Sequence, residues 1–153
     1  MRILFDNSWQ GSTGIGRVSK FLLDRLVNEF DVQTIKFSYN KRNPLYPFLI
    51  YRDLKKINYD IFISPGFFPP SKRIKSIIFF YDMGHLKNYS FFHKLQMLLI
   101  RPFYANISLI ITDSDCVYRE LRFWLKKIDV PIERIYLGSP FKNFKKYYRS
   151  HNF

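Results

Sequence analysis

Three short segments of this chain carry residue types that can do chemistry. The first is Gly11-Ser12-Thr13-Gly14-Ile15-Gly16-Arg17. Free backbone N–H groups at a helix start, together with the positive end of the helix dipole, hold phosphate or carboxylate. Glycines at that point let a ligand approach the backbone closely. Gly14, Ile15, Gly16 and Arg17 are therefore candidate anion contacts; the bland reading of the same residues is an entry loop that tolerates glycine. The second segment is Tyr81-Asp82-Met83-Gly84-His85-Leu86, directly after a hydrophobic run. Asp82 can accept hydrogen bonds from a hydroxylated substrate or act as a base, and His85 can donate to a phosphate or share a proton. Both are candidate catalytic groups, with a turn cap and an exposed histidine as the plain alternative. The third is Thr112-Asp113-Ser114-Asp115. Its first role is to cap a helix, and Ser114 can also line a ligand cleft beside Tyr81.

Two familiar phosphate motifs do not fit. A dinucleotide fingerprint would place a third glycine where Ser19 stands and an acidic residue after the second strand, where the chain reads Ile35-Lys36-Phe37. A P-loop would need Gly-Lys-Ser/Thr, which the segment lacks. No metal and no cofactor are expected: His85, His93 and His151 are scattered, and a single cysteine, Cys116, cannot build a cysteine-based zinc site or an internal disulfide. Cys116 reads as a buried helix residue with no His or Asn placed to activate it.

These segments need a frame to hold them together. The 153 residues correspond to one domain, and 47% hydrophobic content excludes a disordered tail. Residues 2–6 read as a strand. Ile15, Val18, Leu22 and Leu26 recur at helical spacing, with Phe21 and Phe30 widening the stripe, so a helix capped by Ser12 or Thr13 runs to Glu29. Further strands are predicted at 32–37, 60–64, 76–81, 107–112 and 133–137. Helices are predicted at 48–57, at 90–106 with a kink at Pro102, and from a cap at Asp113 or Ser114 to about 127. Strands alternating with helices imply an α/β fold: one Rossmann-like three-layer domain with a parallel sheet of about six strands over residues 1–140. Residues 141–153, with four basic residues and no acid, read as a disordered tail.

Composition narrows the partners. Lys and Arg total 25 against 12 Asp and Glu, a net charge of +13. Such a balance suits an anionic partner; seventeen Ile and one Ala also suit a composition set by AT-rich codons. The charge is spread rather than gathered on one face, so nucleic acid is not an expected partner. Phe67-Phe68-Pro69-Pro70 and Phe91-Phe92-His93-Lys94-Leu95, flanked by Lys72, Arg73, Lys75 and Lys87, pair aromatic residues with cations as an anionic membrane surface requires, and also as a packed loop and a core helix would. The apolar runs are too short to span a bilayer, and Asp6 interrupts any signal-peptide core, so a cytoplasmic chain is expected, peripheral on the inner face of the membrane if it docks there.

In this order, the pieces resemble the N-terminal domain of GT-B glycosyltransferases of the family-4 type, from Met1 to about Pro140. The loop Gly11 to Arg17, the strand-end motif Tyr81-Asp82-Met83, the segment Thr112-Asp113-Ser114-Asp115 followed by Arg119-Glu120-Leu121, and Arg134-Ile135-Tyr136-Leu137-Gly138 carry the likeness. The resemblance implies half of a GT-B fold. It implies a retaining hexosyltransferase that moves a sugar from a nucleotide-sugar to a cell-surface polysaccharide or lipid-linked glycan. This domain would bind the glycan or lipid-linked acceptor beside Asp82, while Gly14 and Gly16 approach the donor phosphates. The family commonly has a histidine where this chain has Tyr81, so His85 is the candidate to stand in. The family's donor half carries a Lys/Arg pair and a Glu-x7-Glu motif. Here Glu29, Glu120 and Glu133 lie 91 and 13 residues apart. The expectation is thus a truncated or split enzyme, inactive alone, with a separate donor-domain polypeptide as partner. The alternative is a freestanding basic module for anionic membrane or nucleic acid.

Overall fold

The computed structural model describes residues 1–82 and 91–136. Strands β1 (Arg2–Asp6), β2 (Asp31–Ile35), β3 (Ile61–Ser64), β4 (Ser76–Phe80), β5 (Leu109–Thr112) and β6 (Ile132–Arg134) alternate with helices α1 (Gly14–Glu29), α2 (Tyr46–Leu54), α3 (Phe91–Ile100) and α4 (Asp115–Trp124); a 3-10 turn, Arg101–Asn106, follows α3. All six strands run parallel in the order β2-β1-β3-β4-β5-β6. The chain is the Rossmann-like α/β domain that its periodicity predicts.

Strand alternation sorts the side chains onto two faces. Leu4, Phe62, Ile78, Phe80 and Ile110 face α2, α3 and α4, which contribute Ile50, Leu54, Met97, Ile100, Val117 and Leu121 to one core. Ile3, Phe5, Ile63, Phe79 and Ile111 face the other way, against Leu22, Leu23 and Leu26 of α1. The handedness of the crossovers explains this split. The chain steps from β1 to β2 in one direction and from β2 to β6 in the other, and right-handed connections put helices from opposite steps on opposite faces. The strand order therefore reverses between β1 and β3, and in open parallel sheets ligands bind outside the carboxyl ends of the strands at that reversal.

Several boundaries differ from the sequence expectation. The second strand ends at Ile35 because Phe37 leaves the ladder and its N–H donates to Ser8 Oγ at 2.7 Å. Pro47 stands in the first turn of α2, where a missing N–H is tolerated, so the helix starts at Tyr46 rather than 48. The expected kinked helix divides instead: α3 stops at Ile100, and Pro102 opens the 3-10 turn. Phe21 and Phe30 do not widen the core stripe of α1; both are exposed, while Gly16 and Ser19 are its buried residues. Cys116 is exposed rather than buried, because Val117 and Leu121 set the inward face of α4 and the preceding position points about 100° away. The loop Phe67-Phe68-Pro69-Pro70 is core, not a membrane wedge: the two rings pack against Trp9, Tyr46 and Phe80, and Tyr104 Oη donates to Phe67 O at 2.6 Å. Residues 141–153, read from the sequence as a tail, lie outside the described residues.

Candidate functional site at the carboxyl edge of the sheet

At the strand reversal the edge is built around a buried carboxylate. Asp6, the last residue of β1, is 2% exposed. One of its oxygens accepts from Ser8 N at 2.9 Å; the other accepts from Trp9 Nε1 at 2.9 Å and from Ser64 Oγ, at the end of β3, at 2.8 Å. Carboxylates are buried only when satisfied in this way. The Trp9 indole is held between two other groups. Lys41 Nζ sits 3.6 Å from its ring centroid and donates to Ser8 O at 3.0 Å. On the β3 side Gly66 passes so close that a Cβ there would stand 1.9 Å from Trp9 Cε2. Burial lowers the Lys41 pKa, and the Asp6 charge opposes that shift. Burial, with Asp6 adding to it, lifts the Tyr46 phenol well above its ordinary value. The crevice at the reversal is thus filled by Trp9, and the loop after β1 is fixed to its neighbours.

That loop delivers the glycines. Thr13 caps α1: its Oγ1 accepts from Gly16 N at 3.2 Å and its carbonyl accepts from Arg17 N at 3.0 Å. The first-turn amides of Gly14 and Ile15 have no carbonyl one turn back within the helix, and no acidic side chain stands in that turn. They are the amides that an anion would meet. The two glycines differ in purpose. Gly14 is exposed, and a Cβ there would touch nothing, whereas a Cβ on Gly16 would lie 2.3 Å from Gly11 O. Gly16 is needed for the fold of the loop, and Arg17 is exposed on the first turn.

Further along the edge, β4 and β5 end side by side, with Phe80 in register with Thr112. Tyr81 and Asp82 follow one strand, Asp113 and Ser114 the other. Tyr81 stacks on Phe79 at 6.0 Å between centroids, and its buried hydroxyl meets no hydrogen-bond partner among the described residues. Burial raises its pKa, and the Asp113 charge adds to the rise. Asp82 is exposed. Burial lifts the Asp113 carboxyl above the ordinary range; its own backbone N–H opposes this, and the like charge of Asp82 adds to it. A cleft of about 280 Å³ opens between these strand ends and α1, lined by Phe21, Leu22, Tyr81, Thr112, Asp113 and Tyr136 among others. Thr112 is buried, and its Oγ1 has no partner among the described residues. A larger hollow, about 460 Å³, is lined by residues between Arg122 and Ile132, at the opposite edge, where strands begin.

Ser114 serves the scaffold. Its Oγ accepts from Val117 N at 3.3 Å and caps α4. The next residue, Asp115, pairs with Arg134 and accepts from Tyr136 Oη at 2.9 Å, which ties the exit of β6 to the start of α4.

The structure thus brings Gly14, Ile15, Gly16, Arg17, Tyr81, Asp82 and Ser114 to one edge of one sheet. His85 lies outside the described residues. Asp6, Trp9, Lys41 and the carboxyl of Asp113 are the groups that sequence reasoning missed. A signal for Asp113 was present, since it occupies the same place after β5 that Tyr81 occupies after β4. None pointed to Lys41, which reaches Trp9 across 32 positions of sequence. Among the described residues no three His, Cys, Asp or Glu side chains gather where they would hold a metal ion, and no helix is long and apolar enough to cross a membrane. The chain matches no protein-family model and no curated protein. Among solved structures it is similar to the apo form of an NADH:FMN oxidoreductase (EMOB), at 13% identity over 88% of this chain and 73% of that one, with a TM-score of 0.39.

Proposed function

We propose that this chain is the acceptor-binding half of a retaining hexosyltransferase that moves a sugar from a nucleotide-sugar to a cell-surface polysaccharide or lipid-linked glycan. One observation carries the reading. The strand ends and helix starts of the motifs that resemble the GT-B N-terminal domain meet along the same carboxyl edge: the glycine loop after β1, Tyr81-Asp82 after β4, Thr112 to Ser114 at the end of β5 and Ile135-Tyr136 after β6. In this arrangement the Gly14 and Ile15 amides face anionic phosphate, and the exposed Asp82 carboxylate accepts from a sugar hydroxyl at the mouth of the cleft. Stabilising charge on the departing diphosphate is the main catalytic task, and cations of the donor half would complete it.

The test is amide chemical-shift mapping of the isolated chain with short oligosaccharides and, separately, nucleotide-sugars. Oligosaccharide shifts centred on Asp82, Asp113 and Tyr136, with weak nucleotide-sugar shifts at Gly14 and Ile15, are expected. Shifts that avoid this edge for both ligand types would overturn the reading.

A further inference from the structure

Strand β6 is an edge of the sheet, and among the described residues only β5 pairs with it. Pro131 O accepts from Ile110 N at 2.9 Å, and Ile135 N donates to Thr112 O at 2.8 Å. Backbone direction alternates along a parallel strand, so residues 131, 133 and 135 turn toward β5, while Ile132 and Arg134 turn away. The N–H and C=O of Ile132 and Arg134 therefore form an open row, and no group among the described residues meets them. Such a row is a template for a further strand. The surface beside it is hollow rather than covered. One hollow of about 410 Å³ is lined by Tyr118, Ile132, Glu133 and Arg134. It shares Ile132 with the hollow of about 460 Å³ at the amino end of the strand. Together they make a trough along the strand, walled by Tyr118 and Arg122 of α4 and by Leu125 after it. Ile132 packs on the core beneath α4, so alternation sends the Glu133 side chain to the other face.

Charge decides what can lie there. Arg122, Lys126 and Lys127 are exposed on the hollow at the start of the strand, and Asp129 is the single acid lining it. None of the three cations pairs with an acid among the described residues. Further along, Arg134 is taken up by Asp115. Residues 137–153 carry cations and no acid, so the end of this chain does not match the trough. Two copies would use all four backbone groups only with their strands antiparallel about Glu133, which sets that carboxylate against its own copy. An acidic segment has neither fault. We infer that the open side of β6 takes an extended acidic segment of another protein as an added strand: its backbone pairs with Ile132 and Arg134, and its carboxylates meet Arg122, Lys126 and Lys127. This binding needs nothing from the sugar-transfer reading.

Hydrogen exchange and binding of the full chain with a short blocked peptide alternating glutamate and valine test this. The peptide should slow exchange at the Ile132 and Arg134 amides more than at Glu133, which faces β5. The same peptide with lysine for glutamate should bind much more weakly, and salt should weaken the glutamate peptide. Proline at the centre of the peptide should abolish binding, because it cannot donate to the strand. Arg122→Glu with Lys126→Glu reverses two exposed charges, should leave the melting temperature unchanged, and should weaken binding at least about tenfold. Lys55→Glu, exposed beyond α2, should have no effect. Equal binding of the glutamate and lysine peptides, exchange slowed no more at Ile132 and Arg134 than elsewhere, or binding unchanged in the double variant would overturn the inference. So would a dimer in light scattering that shields the same two amides without the peptide.

Discussion

The Asp113 carboxyl and Asp82 stand at the ends of neighbouring strands, and Asp113 feels its neighbour: burial first, and then the like charge of Asp82, hold Asp113 above the ordinary carboxylate range. One carboxyl partly buried beside one exposed makes an asymmetric pair. This asymmetry has a consequence for stability. Because the folded pKa is raised, the native state keeps its proton where the unfolded chain has released it. The contribution is therefore full below the ordinary carboxyl pKa and is lost as pH rises through the raised folded value. Asp113→Asn should remove that loss, so the variant should be more stable than the parent at neutral pH and should lose less stability as pH rises from the acid side. Thermal melts across that range check it; parallel pH profiles would show that folding does not raise the Asp113 pKa.

The two glycines at the start of α1 should respond differently to the same change. Gly16→Ala drives a methyl group into Gly11 O, and both partners are backbone. Overpacking of this kind costs about 1–3 kcal/mol. Gly14→Ala meets open space and should change stability by no more than about 0.5 kcal/mol. Urea unfolding of both variants reads the difference directly.

Removing the buried carboxylate of Asp6 should be costly. Asp6→Ala leaves the donors of Trp9, Ser64 and Ser8 without their acceptor. A buried donor left unmade costs about 1–3 kcal/mol. The environment of Trp9 should change with it, because the indole loses its hydrogen bond; of the chain's two tryptophans, Trp124 packs against Phe80 and Tyr104 and is not bonded to Asp6. A shift in tryptophan emission together with lower stability is expected. Asp6→Asn would not restore either, since its amide offers the three donors a single acceptor oxygen.

Much of this frame is legible in the sequence, for a physical reason. Buried parallel strands are hydrophobic in runs, and helices repeat at 3.6 residues, so local composition places β1, the end of β5 and a start of α1 capped by Ser12 or Thr13. What sequence does not reveal is long-range. The Lys41–Trp9 contact joins an unremarkable loop lysine to a residue 32 positions away, and the importance of Asp113 emerges once Phe80 is seen opposite Thr112. The two aromatic segments, Phe67-Phe68-Pro69-Pro70 and Phe91 to Leu95, look alike in composition. The first is enclosed because Gly66 and Trp9 draw it under the edge of the sheet, while α3 keeps Phe91 and Leu95 outward because Met97 and Ile100 claim its inner side. Composition cannot tell these outcomes apart, since each depends on which neighbour arrives.

If Asp82 receives the proton of the acceptor hydroxyl, its loss should be felt in turnover and not in folding. The side chain is exposed, so Asp82→Ala should leave the melting temperature nearly unchanged. In an enzyme assembled from this chain and a donor half, the same variant should lower kcat by about 10²-fold or more, the scale of a lost acid–base group. Asp113→Asn separates the two carboxyls. It keeps a hydrogen-bonding side chain of the same shape at that position, so kcat should fall less than in Asp82→Ala. Wild-type turnover in Asp82→Ala would remove Asp82 from the chemistry, and an equal loss in Asp113→Asn would show that the Asp113 carboxyl is needed as much as Asp82.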